Sequence, residues 1–226
     1  MTQIKILSGG AMQGLMAEAI PLFERGGGCK VAVEIGLTSA LRKAVADGAV
    51  FDIALLPRGD IDALVRDGRI AGSGVTDIAR SAIGVAVRAG APKPDIATVD
   101  AFKRAVLQAS SVTYSDGPSG LYIAGLMDRL GLAEAIKSKT KLTTGPVAEL
   151  LARGEAELGL QQIVAILPVK GAELVGPLPG ELQNIIVYAA GISAATQQSS
   201  AARDLIRFLA TPEVVRIIRA KGLEPG

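Results

Sequence analysis

The chain has 226 residues, of which 49% are hydrophobic, 20% charged and 3% aromatic, and its 24 Lys and Arg against 22 Asp and Glu give a net charge of +2. This length suits one or two domains, and so balanced a charge excludes the basic surface of proteins that bind nucleic acid or anionic membranes. The longest apolar runs, such as 185–192, are much shorter than the roughly 20 residues of a membrane span.

Missing residue types narrow the chemistry further. The sequence has no histidine, which excludes Ser-His triads, histidine metal sites and histidine acid–base catalysis. Its single cysteine, Cys29, excludes an internal disulfide and a Cys-x-x-Cys pair, and we expect it to be an ordinary small core or strand-edge residue. Neither a phosphate-binding loop nor a Gly-x-Gly-x-x-Gly motif is present. We therefore expect no metal and no cofactor.

The start of the chain bears on its compartment. Residues 2–7 alternate as a strand does and lead into a glycine turn, whereas a secretory signal would show a charged start, an apolar run of about 7–15 residues and a small-residue cleavage site. The sequence as written therefore predicts a cytoplasmic protein. A mature exported chain with an added methionine would read the same way, and that protein would be periplasmic.

The first part of the chain alternates short apolar strands with amphipathic helices. The predicted strands are 4–7, 30–35 and 51–56. The predicted helices are 12–23, 39–47 and 60–66. Strands that alternate with helices of this length are typical of a parallel sheet covered by helices on both faces, so the predicted fold class is α/β.

A second domain follows. Its predicted elements are a strand at 82–88, a breaker-rich stretch at 90–94, a helix at 99–108, a strand at 111–114, helices at 119–129 and 147–152, a strand at 157–160 and an irregular segment at 168–179. The apolar strand 185–192 then returns to the first domain, and two more amphipathic helices end the chain. We therefore expect a discontinuous lobe I, 1–81 with 188–226, and an inserted lobe II, 82–187.

Three turns that join a strand to a helix are rich in small residues. Ligands of open α/β sheets sit beyond the carboxyl ends of the strands, and clefts between domains are where small ligands bind. Small residues there let an anion approach free backbone N–H groups, although ordinary helix capping would explain any one turn. The candidate ligand-binding residues in these turns are Ser8, Gly9, Gly10, Thr38, Ser39, Ser119 and Gly120.

Several motifs connect these turns to a known family. They are Thr-Ser-Ala-Leu at 38–41, Phe-Asp-Ile-Ala at 51–54, Pro-Ser-Gly-Leu-Tyr at 118–122 and Gly-Glu-Ala-Glu-Leu-Gly at 154–159. With them, nearly the whole chain resembles the type 2 periplasmic-binding-protein fold, in particular the molybdate-binding-like branch of ABC-transporter solute-binding proteins. The resemblance implies two lobes, each a mostly parallel sheet flanked by helices, with the ligand cleft between them.

The resemblance also implies an oxyanion site that is only half kept. Thr38 or Ser39 fits the family's hydroxyl ligand of the second turn, and Ser119 and Val147 fit positions that donate backbone N–H groups. The family's first-turn serine falls on Ala11, unless Ser8 replaces it, and its tyrosine ligand falls near Gln162. Because selection of a small oxyanion depends on matched buried donors, this loss disfavours molybdate.

Other side chains favour an organic acid. Arg58 is predicted at the end of the third strand and Arg80 just before the strand at 82–88. The planar guanidinium matches a carboxylate with two parallel hydrogen bonds, although surface arginines are commoner than ligand-binding ones. Gln161 and Gln162 would add amide contacts. The predicted ligand is therefore a small organic carboxylate or a comparable oxyanion.

Two functions remain open. The first is a receptor that closes around its ligand without chemistry and, if exported, delivers it to an ABC permease. The second is a cytoplasmic enzyme, because the resemblance extends to cofactor-independent isomerases of unsaturated tricarboxylates of the aconitate type, which move a proton along an allylic system. The base would be Glu34, Asp116 or Tyr122, whose ordinary readings are a solvated charge, a turn residue and a packing residue. A ligand-sensing effector domain uses the same fold but would need a separate DNA-binding partner.

Overall fold

The computed structural model describes residues 3–27 and 29–226, and for Pro118 the backbone alone. Contacts divide the chain into unit 1, Met1–Arg80 with Ile186–Gly226, and unit 2, Ser81–Ile185. The strands are β1 (Gln3–Gly9), β2 (Lys30–Gly36), β3 (Ile53–Pro57), β4 (Thr76–Ser81), β5 (Ile83–Arg88), β6 (Val112–Ser115), β7 (Thr140–Thr143), β8 (Leu158–Gln162), β9 (Ala172–Pro177), β10 (Ile186–Ile192) and β11 (Glu224–Pro225). The helices are α1 (Gln13–Arg25), α2 (Thr38–Ala46), α3 (Arg58–Arg66), α4 (Val99–Gln108), α5 (Pro118–Arg129), α6 (Ala133–Ile136), α7 (Val147–Ala152), α8 (Ile163–Ile166), α9 (Ser199–Leu209) and α10 (Pro212–Ala220).

Unit 1 is built on a sheet of order β11-β4-β10-β3-β1-β2. Strand β1 runs parallel to β2 and β3, whereas β10 runs antiparallel to β3. Gly9 therefore lies opposite Gly36, and Pro57 lies opposite Tyr188. The carboxyl ends of β1, β2 and β3 thus share one edge of the sheet with the start of β10, and we call it the crossing edge of unit 1.

The core of unit 1 follows from its apolar patterning. Strand β3 has four consecutive buried residues, as expected for a strand covered on both faces. Helix α9 buries Ala202, Leu205, Ile206 and Leu209, which recur at helical spacing. At the opposite edge from the crossing edge, the carboxylate of Asp52 accepts hydrogen bonds from the Lys5 N–H at 2.8 Å and from the Thr196 hydroxyl. These bonds tie β1 to the turns that flank β3 and β10.

Unit 2 is built on a sheet of order β7-β6-β8-β5-β9. Strand β6 is parallel to β7 and β8, and β5 is antiparallel to β8 and β9. Ile83 at the start of β5 lies opposite Gln162 at the end of β8. The start of β5 and the ends of β6, β7, β8 and β9 therefore share one edge, which we call the crossing edge of unit 2.

The two faces of β8 pack against different elements. Leu158 and Leu160 are buried in the same cluster as Phe102 and Ile123, from α4 and α5. Gly159 points the other way, since a Cβ there would lie 2.8 Å from side-chain atoms of both Leu151 and Val147 in α7. Because side chains alternate along a strand, Gln161 lies on the α7 face and Gln162 on the α5 face.

The predicted α/β class is confirmed, with two differences in detail. The sheets are mixed, because β5 and β10 enter their sheets directly from the other unit and need no helical crossover. The segment predicted as irregular, 168–179, contains strand β9, and strands β4 and β7 were not predicted. Strand β9 is bounded by Gly171 and Pro177, and β7 is short and half-exposed. Edge strands of this kind lack the apolar run that marks a central strand.

Candidate functional site

The crossing edge of unit 1 brings small residues of two predicted turns together. A Cβ on Gly9 would lie 3.6 Å from Thr38 Oγ1 and 3.9 Å from Tyr188 Cε1. Gly9, Thr38 and Tyr188 therefore meet where the strands end. Tyr188, which is 4% exposed, was missed by sequence reasoning because it lies inside an apolar run and reads as a core residue.

The other predicted residues of these turns are placed differently. Ser8 is completely buried within β1, and its hydroxyl lies 3.4 Å from the Gly9 carbonyl oxygen. Gly10 and Ala11 form a single 3-10 turn before α1. Ser39 lines a surface groove of about 560 Å³ on α2 and α3, together with Arg42, Lys43, Ala46, Leu64, Asp67 and Arg69. Of the two hydroxyls predicted in the second turn, Thr38 is therefore the one beside Gly9.

The two candidate arginines differ in what they contact. Arg58 begins α3, and its guanidinium contacts Asp62 at 2.9 Å and Asp77 at 2.7 Å. These hydrogen bonds raise the pKa of Arg58 above its ordinary value, so a ligand would compete with two carboxylates for it. Arg80 is exposed near the end of β4 and makes no ion pair with any residue that the structure describes. Arg80 is thus the more available cation of the pair.

The turn after β6 forms part of the crossing edge of unit 2. A Cβ on Gly120 would lie 1.5 Å from the Ser115 carbonyl oxygen, so only glycine fits there. This close approach packs the first turn of α5 against the end of β6 and leaves Ser119 7% exposed. The Asp116 N–H donates to the Thr143 carbonyl at 3.1 Å, which joins this turn to the end of β7.

The end of β8 supplies two amide side chains. The Val147 N–H, at the start of α7, donates to Gln161 Oε1 at 3.1 Å. The N–H predicted to bind ligand is therefore engaged by a side chain in this structure. Gln162 ends β8 on the opposite face, across from Ile83.

The three candidate bases are not equivalent. Glu34 is exposed and forms an ion pair with Lys5, with Oε2 2.8 Å from Nζ, two residues before β2 ends. The Tyr122 hydroxyl donates to the Leu182 carbonyl at 3.0 Å, and the Arg129 guanidinium lies 5.2 Å from the centre of the Tyr122 ring. The Asp116 carboxylate is exposed at the crossing edge and has no partner among residues 3–27 and 29–226. Asp116 is thus the candidate best placed to meet a ligand.

No cluster of three His, Cys, Asp or Glu suited to a metal ion occurs within the described ranges. Cys29 is half-buried, and burial raises the pKa of its thiol, which disfavours the nucleophilic thiolate. Among the residues that the structure describes, none of the helices is long and apolar enough to cross a membrane.

Two α/β units, each with glycine- and hydroxyl-containing turns at its crossing edge, define the class of substrate-binding proteins with the type 2 periplasmic-binding-protein fold. The sequence model of one such family, described as bacterial extracellular solute-binding protein, matches residues 4–224. The chain belongs to this family, which confirms the resemblance inferred from its motifs.

The similar proteins include one that is named as an enzyme and others that are named as binding proteins. An aconitate isomerase from a Pseudomonas species is 35% identical over 231 residues, which cover 99% of this chain and 88% of that protein. The molybdate-binding protein ModA of Azotobacter vinelandii is 26% identical over 215 residues, 92% of this chain and 84% of that protein. The structure of the periplasmic molybdate-binding protein of Azotobacter vinelandii matches with a TM-score of 0.77 at 18% identity, over 99% of each chain, which shows the shared fold.

Proposed function

We propose that this protein binds a small, unsaturated polycarboxylate of the aconitate type. The observation that carries the proposal is the 35% identity to an aconitate isomerase across 99% of the chain. The relative described as molybdate-binding is less similar, at 26% identity.

Each unit, taken by itself, carries donors suited to a carboxylate. Unit 1 offers the Thr38 hydroxyl, the backbone of Gly9 and Gly10, and the Arg80 guanidinium. Unit 2 offers Ser119 and the amide of Gln161. The resemblance places the family's first-turn serine at Ala11 and its tyrosine ligand near Gln162, so two hydroxyl ligands for a compact oxyanion are missing. Amide and guanidinium donors suit planar carboxylates, which accept two hydrogen bonds at once.

A second candidate function, isomerisation of the same ligand, is favoured by the name of that relative. In such a reaction a base removes a proton from a methylene carbon, the allylic electron pair shifts, and a proton returns to the far carbon. Atoms and charge balance without a redox partner, and the adjacent carboxylates delocalise the intermediate charge. Asp116 is the proposed base, because Glu34 and Tyr122 are engaged by Lys5 and Leu182.

The proposed partners and compartment depend on which function holds. The matched family is described as extracellular, and a receptor of this class would act outside the cytoplasm and pass its ligand to an ABC permease. An isomerase would need no partner beyond its substrate and would be compatible with the cytoplasm.

Thermal unfolding with separate additions of cis-aconitate, trans-aconitate, succinate, molybdate and sulfate tests the binding proposal. A ligand present at 100 times its Kd stabilises the folded state by about 2.7 kcal/mol, and we expect this from an aconitate isomer. Stabilisation by molybdate or sulfate alone would refute it. Proton NMR of each aconitate isomer after incubation then separates the two functions, since a receptor leaves the olefinic signal unchanged and an isomerase produces the signal of the other isomer.

A further inference from the structure

The hydrogen bond between Val147 and Gln161 fixes the orientation of a side-chain amide at the crossing edge of unit 2. A backbone N–H can only donate, and it lies 3.1 Å from Gln161 Oε1. The carbonyl of the carboxamide therefore faces Val147, and its nitrogen lies on the side away from Val147. Chemistry sets this orientation, because the reverse would place two donors against each other.

The side-chain nitrogen of Gln161 can still donate hydrogen bonds. Gln161 is half-buried, and Nε2 forms no hydrogen bond with any group in the described part of the chain. Its neighbour on strand β5 is Gly84, which has no side chain to act as acceptor. A Cβ on Gly84 would come within 2.8 Å of Ile163 and Leu174 side-chain atoms, so apolar groups fill that flank. A half-buried donor pair beside apolar groups is expected to take an acceptor when one is present.

We infer that Gln161 is a specificity-determining residue, which converts the inward-facing Val147 N–H into an outward-facing NH2 donor that selects an anionic carboxylate oxygen of the ligand. The inference rests on the proposed function, because it concerns the same site. It also changes the role of Val147, whose N–H holds Gln161 in place and does not contact the ligand.

Gln161→Glu is the sharpest perturbation, because it keeps the shape of the side chain and replaces its NH2 donor with a negatively charged acceptor. One oxygen of the new carboxylate still accepts from Val147, so the fold is kept, while the other places a negative charge where the NH2 donor stood. At pH 7 we expect the Kd for the aconitate isomer that binds wild type to rise at least about tenfold in isothermal titration calorimetry. The ratio of variant to wild-type Kd should fall as the pH is lowered toward the ordinary glutamate pKa of about 4.3, because the protonated carboxyl is neutral and can donate.

Gln108→Glu is the matched control. It adds the same charge to unit 2 at the exposed last residue of α4, which leads to the start of β6 and not to the crossing edge, and the Kd should stay at the wild-type value. Gln161→Met, which removes donor and acceptor without adding charge, should raise the Kd less than Gln161→Glu. If Gln161→Glu does not fold, Gln161→Met and the NMR titration below decide the question.

NMR of ¹⁵N-labelled wild type gives an independent readout. Addition of the aconitate isomer should move the Gln161 side-chain NH2 signals and leave the Val147 backbone amide nearly unmoved. A Kd unchanged in Gln161→Glu, or a shift confined to Val147, would overturn the inference and leave the proposed function standing. Absence of binding by every carboxylate to wild type would overturn both.

Discussion

Gly120 separates a structural requirement from a ligand contact within the third turn. A Cβ at this position would lie 1.5 Å from the Ser115 carbonyl oxygen and 2.5 Å from the carbonyl carbon. Real Cβ atoms stay beyond about 3 Å from such an atom, so Gly120→Ala must move the start of α5 or the end of β6 by more than an ångström. Both segments are backbone within packed elements, and neither can yield as a flexible side chain would.

The size of the effect follows from two opposing contributions. Alanine in place of glycine inside a helix normally stabilises by about 1 kcal/mol. Overpacking in a well-packed region costs about 1–3 kcal/mol and occasionally more, and an overlap with backbone belongs at the upper end. We therefore expect Gly120→Ala to lower the free energy of unfolding by at least about 2 kcal/mol, the overpacking cost less the helix gain.

Urea unfolding followed by circular dichroism measures this change, with Gly125→Ala as the matched control. Gly125 lies in the same helix, and the nearest atom to a Cβ there is the flexible Arg129 Nη1 at 3.6 Å. The control should be neutral or stabilised by up to about 1 kcal/mol. Equal midpoints for the two variants would refute the packing argument and would return Gly120 to the role of a ligand contact.

Further predictions concern residues outside this turn. Asp52→Ala removes the acceptor of the Lys5 N–H and the Thr196 hydroxyl. We therefore expect urea unfolding to show a free energy of unfolding lower by about 2 kcal/mol, and an unchanged free energy would contradict a stabilising role for these two hydrogen bonds. Ser110 donates to Glu157 through its hydroxyl and its N–H and lowers the pKa of that carboxyl below its ordinary value. The contribution of the Glu157 carboxylate to stability is therefore fully present above the ordinary glutamate pKa of about 4.3 and is lost as the pH falls through the lowered pKa, so Glu157→Gln should flatten the acid side of the stability curve. Arg80→Ala should weaken carboxylate binding about tenfold in calorimetry, and Arg58→Ala should weaken it less, because Asp62 and Asp77 already engage Arg58. Burial raises the pKa of the Cys29 thiol above its ordinary value, so alkylation by iodoacetamide should be slower in the native protein than in urea at pH 8, and equal rates would contradict this expectation.

The elements that the sequence predicts well are those whose pattern is local. Helix 99–108 is recovered residue for residue as α4, since Thr98 caps it by accepting from the Ala101 N–H and its apolar residues recur at helical spacing. Strand β4 is not predicted from the sequence, because Asp77 and Arg80 interrupt its apolar pattern. That strand is held by its neighbours in the sheet, β10 and β11, and pairing of this kind is not encoded in any short window.

The residues of the candidate site also differ in whether a local sequence pattern or a contact distant in sequence determines their role. Gly9 and Thr38 are recognisable because small residues after a strand are a local signal, and β-sheet register brings them together. The engagement of Arg58 depends on Asp77, 19 positions away, and that of Val147 depends on Gln161, 14 positions away. Spacing of that length carries no periodicity, so the sequence offers both groups as free donors and only the fold shows that they are engaged.

The carboxylate of Asp116 bears on the choice between the two proposed functions. Asp116 is exposed at the crossing edge of unit 2, with no ionic partner in the described residues. A receptor for the proposed polycarboxylate would gain nothing from such a group, because the carboxylate of Asp116 would repel that ligand. In an isomerase the same repulsion is useful, since a bound polyanion raises the free energy of the carboxylate and taking up a proton from the ligand relieves it. A site that combined neutral amide donors with Asp116 would thus bind its ligand more weakly than a pure receptor and gain a base in exchange.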